Sequence, residues 1–396
     1  MLKGKVIVIG VTGSIAAYKI ANLCSMLKKL NAEIHVIMTK NATNFINPIT
    51  FETLTGNKCL VDTFDRNFEF NVEHVSLAKR ADLFMVAPAS ANVIGKIRAG
   101  ICDDMLTTTL FAFNRGPKII APAMNTNMYD NPILQDNLKA LKDYGYEIVE
   151  PAVGYLACGD TGRGKLVSEE VLLDKILYHL AYPKDLCGKN ILITAGPTRE
   201  AIDPVRYITN HSTGKMGYAI ANNAYLRGAN VTLVSGPSNV KAYDGINVIN
   251  TISALDMFNA VKDNYQNNDY IIMSAAVADY TPANVANNKI KKSDDNLSIE
   301  LNRTNDILKF VGENKKNNQK LIGFSMETEN LIENSRKKLA KKNADMICAN
   351  SISDNKTGFG VDTNKITLIK KDEIKELPFG TKNDLSNLIL DEIKEL

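Results

Sequence analysis

Short apolar runs and longer amphipathic stretches alternate along the whole chain. In the first half KVIVIG (5–10), EIHVIM (33–38), LFMVAP (83–88) and KIIAP (118–122) have strand length, while SIAAYKIANLCSMLKKL (14–30) repeats its apolar residues at helical spacing. In the second half NILITAG (190–196), NVTLVSG (230–236), YIIMSAA (270–276), KLIGFSM (320–326) and DMICAN (345–350) do as the first strands do. Unbroken apolar strands are covered on both faces, and their alternation with helices is the mark of βαβ units around a parallel sheet. The pattern predicts an α/β protein of two doubly wound, Rossmann-like domains. The break falls in AYPKDLCGKN (181–190), where a helix ending in ILYHLAY meets proline and glycine before a new strand, so the expected domains are 1–186 and 187–396. The chain's 396 residues also exceed the ~250–300 at which one core stops growing.

Composition narrows the function classes. With 45% hydrophobic residues, 23% charged residues and 12 prolines the chain has an ordinary globular composition, and a net charge of +3 does not advertise nucleic-acid binding. The start MLKGKVIVIGVTG has no apolar run long enough to span a bilayer, so no membrane partner and a cytoplasmic location are expected. Cysteines 24, 59, 102, 158, 187 and 348 form no C-x-x-C pair, which leaves neither a zinc motif nor a dithiol motif, and most are expected to be small buried apolar residues.

Several motifs fall at predicted strand ends, where open α/β sheets bind ligands. VIVIGVTGSIAAYK is a strand, a glycine turn and a helix start, and Ser14 there either holds a phosphate or caps the helix. It is not G-x-G-x-x-G, and the next strand ends in IMTK without an acidic residue for a ribose, which disfavours a nicotinamide dinucleotide. Ser90 in APASANVIGKIRAG and Asn125 in APAMNTNMYDNP are ligand contacts or helix caps, and His74 in NVEHVSLAKRAD is a base or a surface residue. GYLACGDTGRGKL (154–166) puts Cys158 among four glycines. Its G-x-x-x-x-G-K portion is followed by Leu166 rather than Ser or Thr, and no strong strand pattern leads into it, so a Walker loop is rejected.

GSIAAYK, HVSL, PASANVIGKIRAGICDDML, PAMNTNMYDNP and ACGDTGRGKL occur in the order found in the flavin-containing cysteine decarboxylases, and they span nearly all of residues 1–180. The resemblance implies a flavodoxin-like flavoprotein domain with FMN as cofactor, contacted by Gly13, Ser14, Thr39, Ser90, Ala91, Asn92, Val93 and Ala123. It implies His74 as base, Asn125 as the amide that holds the substrate carboxylate, and Cys158 as proton donor on a flap. The chemistry explains the need for a flavin: oxidising CH2–SH to a thioaldehyde places the carboxylate β to C=S, from where CO2 leaves to give an ene-thiolate that is then reduced and protonated. Arg163, Lys165 and the LVS that follows Lys165 depart from the family's usual flap.

In the second half ITNHSTGKMG (208–217) suits phosphate at a helix start, although Lys215 alone reads equally well as a solvated residue of a capped helix. Together with SAAVADYTPANVANNKIKK (274–292) this half resembles the phosphopantothenate–cysteine ligases. The resemblance implies CTP contacts at Ser274, Ala275, Asp279, Lys289, Asn305, Asp306, Ile307, Leu308, Phe324, Lys338 and Lys342, with Lys289 the favoured catalytic cation. It implies Asn210 as the amide stabilising an acyl-CMP intermediate, and a Mg2+ ion held mainly by the CTP phosphates and Asp279. The remaining lysines of KIKK and RKKLAKK read as solvated faces.

Decarboxylase followed by ligase is the arrangement of the bifunctional enzymes of coenzyme A biosynthesis. The implied partners are 4'-phosphopantothenate, cysteine, CTP and 4'-phosphopantothenoylcysteine, with trimeric decarboxylase and dimeric ligase contacts building a homo-oligomer, a dodecamer if both are obeyed. The alternatives are a flavin-dependent peptidyl-cysteine decarboxylase and a non-catalytic FMN-binding regulator. The ligase half opposes the first, and the retained His74, Asn125 and Cys158 oppose the second.

Overall fold

The structure, a computed structural model, describes residues 1–64, 73–155, 159, 161–292, 297–327, 329–351, 358 and 360–396. Cys158 lies outside the described residues. The chain divides into Met1–Pro183 and Lys184–Leu396, which moves the boundary from the expected 186 to 183. The reason is packing. Leu186 is buried in the core of the second unit, and Asp185 accepts from Arg227 Nε at 2.9 Å and Nη2 at 2.6 Å, and from Lys394 at 2.5 Å.

Those bonds, Arg227's first, hold the Asp185 carboxyl down to about 2. Because the folded value is depressed, its stabilisation is complete above the unfolded value of ~3.9 and is lost as pH falls toward the folded one. Asp185→Asn is therefore expected to lower the unfolding free energy of the second unit by ~1 kcal/mol at neutral pH, a figure discounted for solvent screening. The deficit shrinks as the buffer approaches pH 2, and urea titrations across that range check it.

In the first unit β1 (Val6–Val11), β2 (Glu33–Met38), β3 (Leu83–Ala89), β4 (Lys118–Pro122) and β5 (Tyr146–Ile148) form one parallel sheet in the order β2-β1-β3-β4-β5. Val8, Phe84, Val86 and Ile120 belong to the core shared with the helices Ala91–Ala99, Met105–Ala112 and Pro132–Asp143. Ile7 and Ile9 are also fully buried, as alternation to the opposite face requires. The short strand β5 is absent from the sequence reading because its three residues are only half-buried. The first helix runs Ala17–Lys29, and its N-cap is Ala16 rather than Ser14, whose hydroxyl instead accepts from the Ala16 amide at 3.3 Å.

The second unit has an eight-stranded sheet. Its spatial order is Asn247–Asn250, Asn230–Ser235, Asn190–Ala195, Tyr270–Met273, Lys320–Glu327, Met346–Ser351, Ile366–Ile369 and Ile374–Glu376. The first six are parallel and the last two antiparallel. One face packs a core that includes residues of the helices Lys215–Leu226 and Lys382–Lys394, the other a core with the helices Ala254–Asn264 and Ile307–Asn314.

Of the five cysteines described, Cys24, Cys59 and Cys348 are buried, whereas Cys102 and Cys187 are exposed. Burial pushes the Cys24 and Cys59 thiols up to about 12, which makes them inert. Among the described residues no helix is long and apolar enough to cross a membrane.

Candidate functional site

Each sheet is locked by a threonine at its topological switch point, the place where neighbouring crossovers leave in opposite directions. Thr12, fully buried after β1, donates to Pro88 O at 2.7 Å and accepts from the Ser90 amide at 2.9 Å, tying the end of β1 to that of β3. Thr194 accepts from the Ala275 amide at 3.1 Å, and Thr198 from Ala278 at 3.0 Å, across the second sheet. Composition and spacing gave no signal for these residues, because a threonine near a strand end is common and only its partners reveal the lock.

At the carboxyl end of the first sheet a cavity of about 410 Å³ is lined by Ser14, Ile15, Ala16, Tyr18 and Lys19 from the turn after β1, by Ala123, Met124 and Asn125 after β4, and by Tyr155, Gly164, Lys165 and Leu166. Its wall is completed by a hairpin, Ala152–Tyr155 against Thr161–Lys165. This hairpin confirms the rejection of a phosphate loop, since Lys165 ends a strand. The hairpin is pressed onto the segment after β4: Met124 donates to Gly164 O at 2.9 Å, and a Cβ on Gly164, at φ +129°, would stand 2.2 Å from Met124 O. Gly162 is also tight against Thr126, whose buried hydroxyl has no hydrogen-bond partner among the described residues.

Of the residues expected here, Ser14, Ala123 and Asn125 line the cavity. Gly13, Thr39, Ser90, Ala91, Asn92, Val93 and His74 do not line it. Gly13, Thr39 and Ser90–Val93 stand at the carboxyl ends of β1, β2 and β3, while His74 is half-buried in the first turn of the helix Glu73–Arg80. The capping alternatives are realised as well: Ser90 accepts from the Val93 amide and Asn125 from the Asn127 amide at 2.8 Å, which fixes the orientation of the Asn125 amide. Tyr155, Lys19 and Lys165 were missed. Lys19 reaches Leu166 O at 3.2 Å and Val167 O at 3.3 Å, a contact from one end of the unit's sequence to the other.

Two adjoining cavities of the second unit share Ala275, Val277, Asp279, Phe324 and Lys338. The larger, about 630 Å³, gathers Ala275, Asp279, Asn305, Asp306, Ile307, Leu308, Phe324, Lys338 and Lys342 of the expected nucleotide set, with Lys309 and Lys341 added by the fold. Lys338 donates to Phe324 O at 2.7 Å. Burial alone would raise the Asp306 carboxyl, but a salt bridge to Lys342 and the Lys309 amide hold it below the ordinary range.

The smaller cavity, about 450 Å³, is lined by Asn210, Ser212, Thr213, Gly214, Lys215 and Ser274. Asn210 donates to Ala276 O at 2.9 Å, so its amide is fixed beside Ser274 and Ala275. Lys215 is half-buried and paired rather than simply solvated: it donates to Gly360 O and Asp362 Oδ1, each at 2.7 Å. Lys289, the favoured cation, is exposed and lines neither cavity. The reason is local. The buried carboxylate of Asp203 accepts from the Ile290 amide at 3.1 Å and binds Arg206, and Ala286 donates to Ile202 O, so residues 286–290 are fastened to the 202–206 loop.

Two family models match, "Flavoprotein" over residues 1–181 and "DNA/pantothenate metabolism flavoprotein C-terminal domain" over 186–396. Over its full length the chain is 48% identical to the coenzyme A biosynthesis bifunctional protein CoaBC of Bacillus subtilis, of which 98% is covered. The chain belongs to the CoaBC family. The Haemophilus influenzae member is 43% identical, again with the whole chain matched and 98% of the relative covered. The solved C-terminal domain of a CoaBC protein is 49% identical over 53% of this chain and 96% of that one, at a TM-score of 0.46. CoaBC membership accounts for both units and for their order.

Proposed function

We propose that this CoaBC member joins cysteine to 4'-phosphopantothenate in its second unit, at the expense of CTP, and decarboxylates the product to 4'-phosphopantetheine in its first unit with FMN as cofactor. The observation that carries this reading is the pair of adjoining cavities in the second unit, one holding the nucleotide-type residues and the other the Asn210 amide, with Asp279, Phe324 and Lys338 common to both. A reaction that first joins a carboxylate to a nucleotide and then exchanges the nucleotide for an amine needs such an arrangement. The carboxylate oxygen attacks the α-phosphorus and pyrophosphate leaves; the cysteine amine then attacks the acyl carbon, and CMP and a proton leave. Lys338, Lys341 and Lys342 oppose the nucleotide's negative charge, Asp279 would hold a Mg2+ ion that helps to neutralise it, and Asn210 donates to the acyl-CMP oxygen.

The first cavity suits a flavin: its volume of about 410 Å³ and its walls of Ile15, Ala16, Ala123, Met124, Tyr155 and Leu166 match a flat apolar ring, with Ser14 and Asn125 as polar contacts. When bound, the flavin supplies the two-electron sink that allows CO2 to depart. Asn125 would orient the substrate carboxylate and Cys158 would return a proton at the end, while His74, the base that the resemblance implies, stands outside this cavity and would have to reach the thiol from there.

Gly164→Ala tests the cavity. A methyl group 2.2 Å from Met124 O forces the hairpin strand outward, a distortion costing ~1–3 kcal/mol. The variant is expected to bind flavin roughly tenfold or more weakly, read from visible absorbance after gel filtration, while CTP-dependent ligation continues. The whole reading is tested by incubating the protein with CTP, cysteine and 4'-phosphopantothenate, with 4'-phosphopantetheine, CO2, CMP and pyrophosphate expected by mass spectrometry. Failure to form 4'-phosphopantothenoylcysteine would refute the ligase assignment.

Lys289 has a place in this scheme only if it acts outside its own unit's cavities. We assign it to the nucleotide of a second copy, consistent with the dimeric ligase and trimeric decarboxylase contacts implied by the resemblance.

A further inference from the structure

Lys382 is the first residue of the helix Lys382–Lys394, it is only 7% exposed, and it lines the smaller cavity of the second unit. A lysine buried to this degree is ordinarily paired with a carboxylate. Lys382 instead donates to two backbone carbonyls, Gly358 O at 3.0 Å and Val361 O at 2.7 Å. One of its three N–H groups remains for another acceptor.

Lys215 repeats the arrangement from another direction. It is the first residue of the helix Lys215–Leu226, lines the same cavity, and donates into the same segment, at Gly360 O and Asp362. A cation in the first helical turn is opposed by the helix dipole. Two such lysines at one cavity place two ammonium groups and two positive helix ends together. Burial first, and then the charge of Lys215, push the Lys382 ammonium below its ordinary range, with Asp362 opposing. Among the cavity's lining residues three lysines, Lys215, Lys338 and Lys382, face one carboxylate, Asp279.

A further group lacks a partner. Asn350, 7% exposed, lines this cavity and has a buried Oδ1 that accepts no hydrogen bond among the described residues. Leaving such an acceptor unmet costs ~1–3 kcal/mol. Even with Asp362, which pairs with Lys215, counted beside Asp279, the three lysines leave net positive charge for an anion, and Asn350 offers an acceptor for an O–H or N–H on the same molecule.

We propose that Lys382, with Lys215, forms a phosphate-binding pair: the two ammonium groups bind oxygens of a phosphate ester or phosphoanhydride, while Asn350 accepts from a hydroxyl or amide of the same ligand. This rests on the ligase reading, in which both CTP and 4'-phosphopantothenate carry such groups. No covalent step is assigned to either lysine.

The test is calorimetric titration of full-length protein with three probes in magnesium buffer: inorganic pyrophosphate, CTP and 4'-phosphopantothenate. Lys382→Met is expected to weaken phosphate binding on the order of 10- to 100-fold, the worth of one charge-assisted hydrogen bond, and Lys382→Arg restores most of it. If the pair holds the nucleotide's phosphates, pyrophosphate and CTP weaken together and 4'-phosphopantothenate does not. If it holds the substrate's phosphate, only 4'-phosphopantothenate weakens. Either pattern supports the pair and identifies its ligand.

Affinities within twofold of wild type for all three probes, in a Lys382→Met protein with an unchanged melting temperature, would overturn the proposal. So would equal weakening of all three that Lys382→Arg does not repair, because that is the signature of a lysine that only braces residues 358–361. Should Lys382→Met fail to fold, Lys382→Gln and Lys215→Met provide the same comparison. A wild-type protein that binds pyrophosphate but forms no acyl-CMP would refute the ligase reading while leaving the phosphate site standing.

Discussion

Cys158→Ser is expected to stop the first unit one step before its end: CO2 is still released, but the product that accumulates is the ene-thiol, two hydrogens lighter than 4'-phosphopantetheine. The reason is acidity. A thiol titrates near ~8.5 and can give up a proton at neutral pH, whereas a serine hydroxyl of nearly the same shape is far too weak an acid. Losing a positioned acid costs ~10²–10⁴ in rate, so 4'-phosphopantetheine formation falls by that factor while a single turnover's CO2 does not. Cys158 lies outside the described residues, but the strands on either side of it in sequence are placed: Tyr155 pairs with Thr161, and Gly164 O accepts from Met124, next to Asn125. Mass spectrometry of a single-turnover mixture checks the expectation. Undiminished 4'-phosphopantetheine would remove Cys158 from the mechanism.

The second large effect is a rescue. Lys289→Ala and Asn210→Ala are each expected to abolish acyl-CMP formation, to below roughly a hundredth of wild type, while decarboxylation of supplied 4'-phosphopantothenoylcysteine continues. Mixed and re-associated, the two inactive proteins should recover up to about a quarter of the activity. Random pairing makes half the dimers mixed, and each mixed dimer has one site with both an intact Asn210 and an intact Lys289 from the other copy. The structural warrant is that Asn210 lines the smaller cavity of its own unit, whereas Lys289, fastened to the 202–206 loop, lines neither of the two described. If Lys289 served its own unit, no mixture would recover activity, and the trans assignment would fall.

The two halves of the expected nucleotide set show how a sequence can indicate a site without building it. Lys338 and Lys342 are one helical turn apart in a run that otherwise reads as a solvated face, and Phe324 and Asp306 are ordinary residues of their elements. The fold brings them together because the strand Lys320–Glu327 lies between Tyr270–Met273 and Met346–Ser351, which sets the loops after 273 and before 307 beside the helix Leu331–Lys341. Lys341 came with them unannounced. The expected flavin contacts divide differently: Ser14 and Ala123 face the cavity, while Ser90 spends its hydroxyl on the Val93 amide. Capping and ligand binding draw on the same serine and asparagine chemistry, so the local pattern could not separate them.

By itself the sequence determined the α/β alternation, the parallel strands and the strand ends where ligands collect, because each depends on burial of contiguous residues within one element. It could not show Ile374–Glu376, an exposed edge strand without an apolar run, nor the half-buried β5. Only the tertiary structure decided that Thr12 and Thr194 lock the switch points, that Lys289 lies outside both of the adjoining cavities described, and that Lys215 and Lys382 meet across one cavity. These facts depend on which crossover returns to which strand, and so join residues far apart in the chain whose local surroundings give no sign of one another.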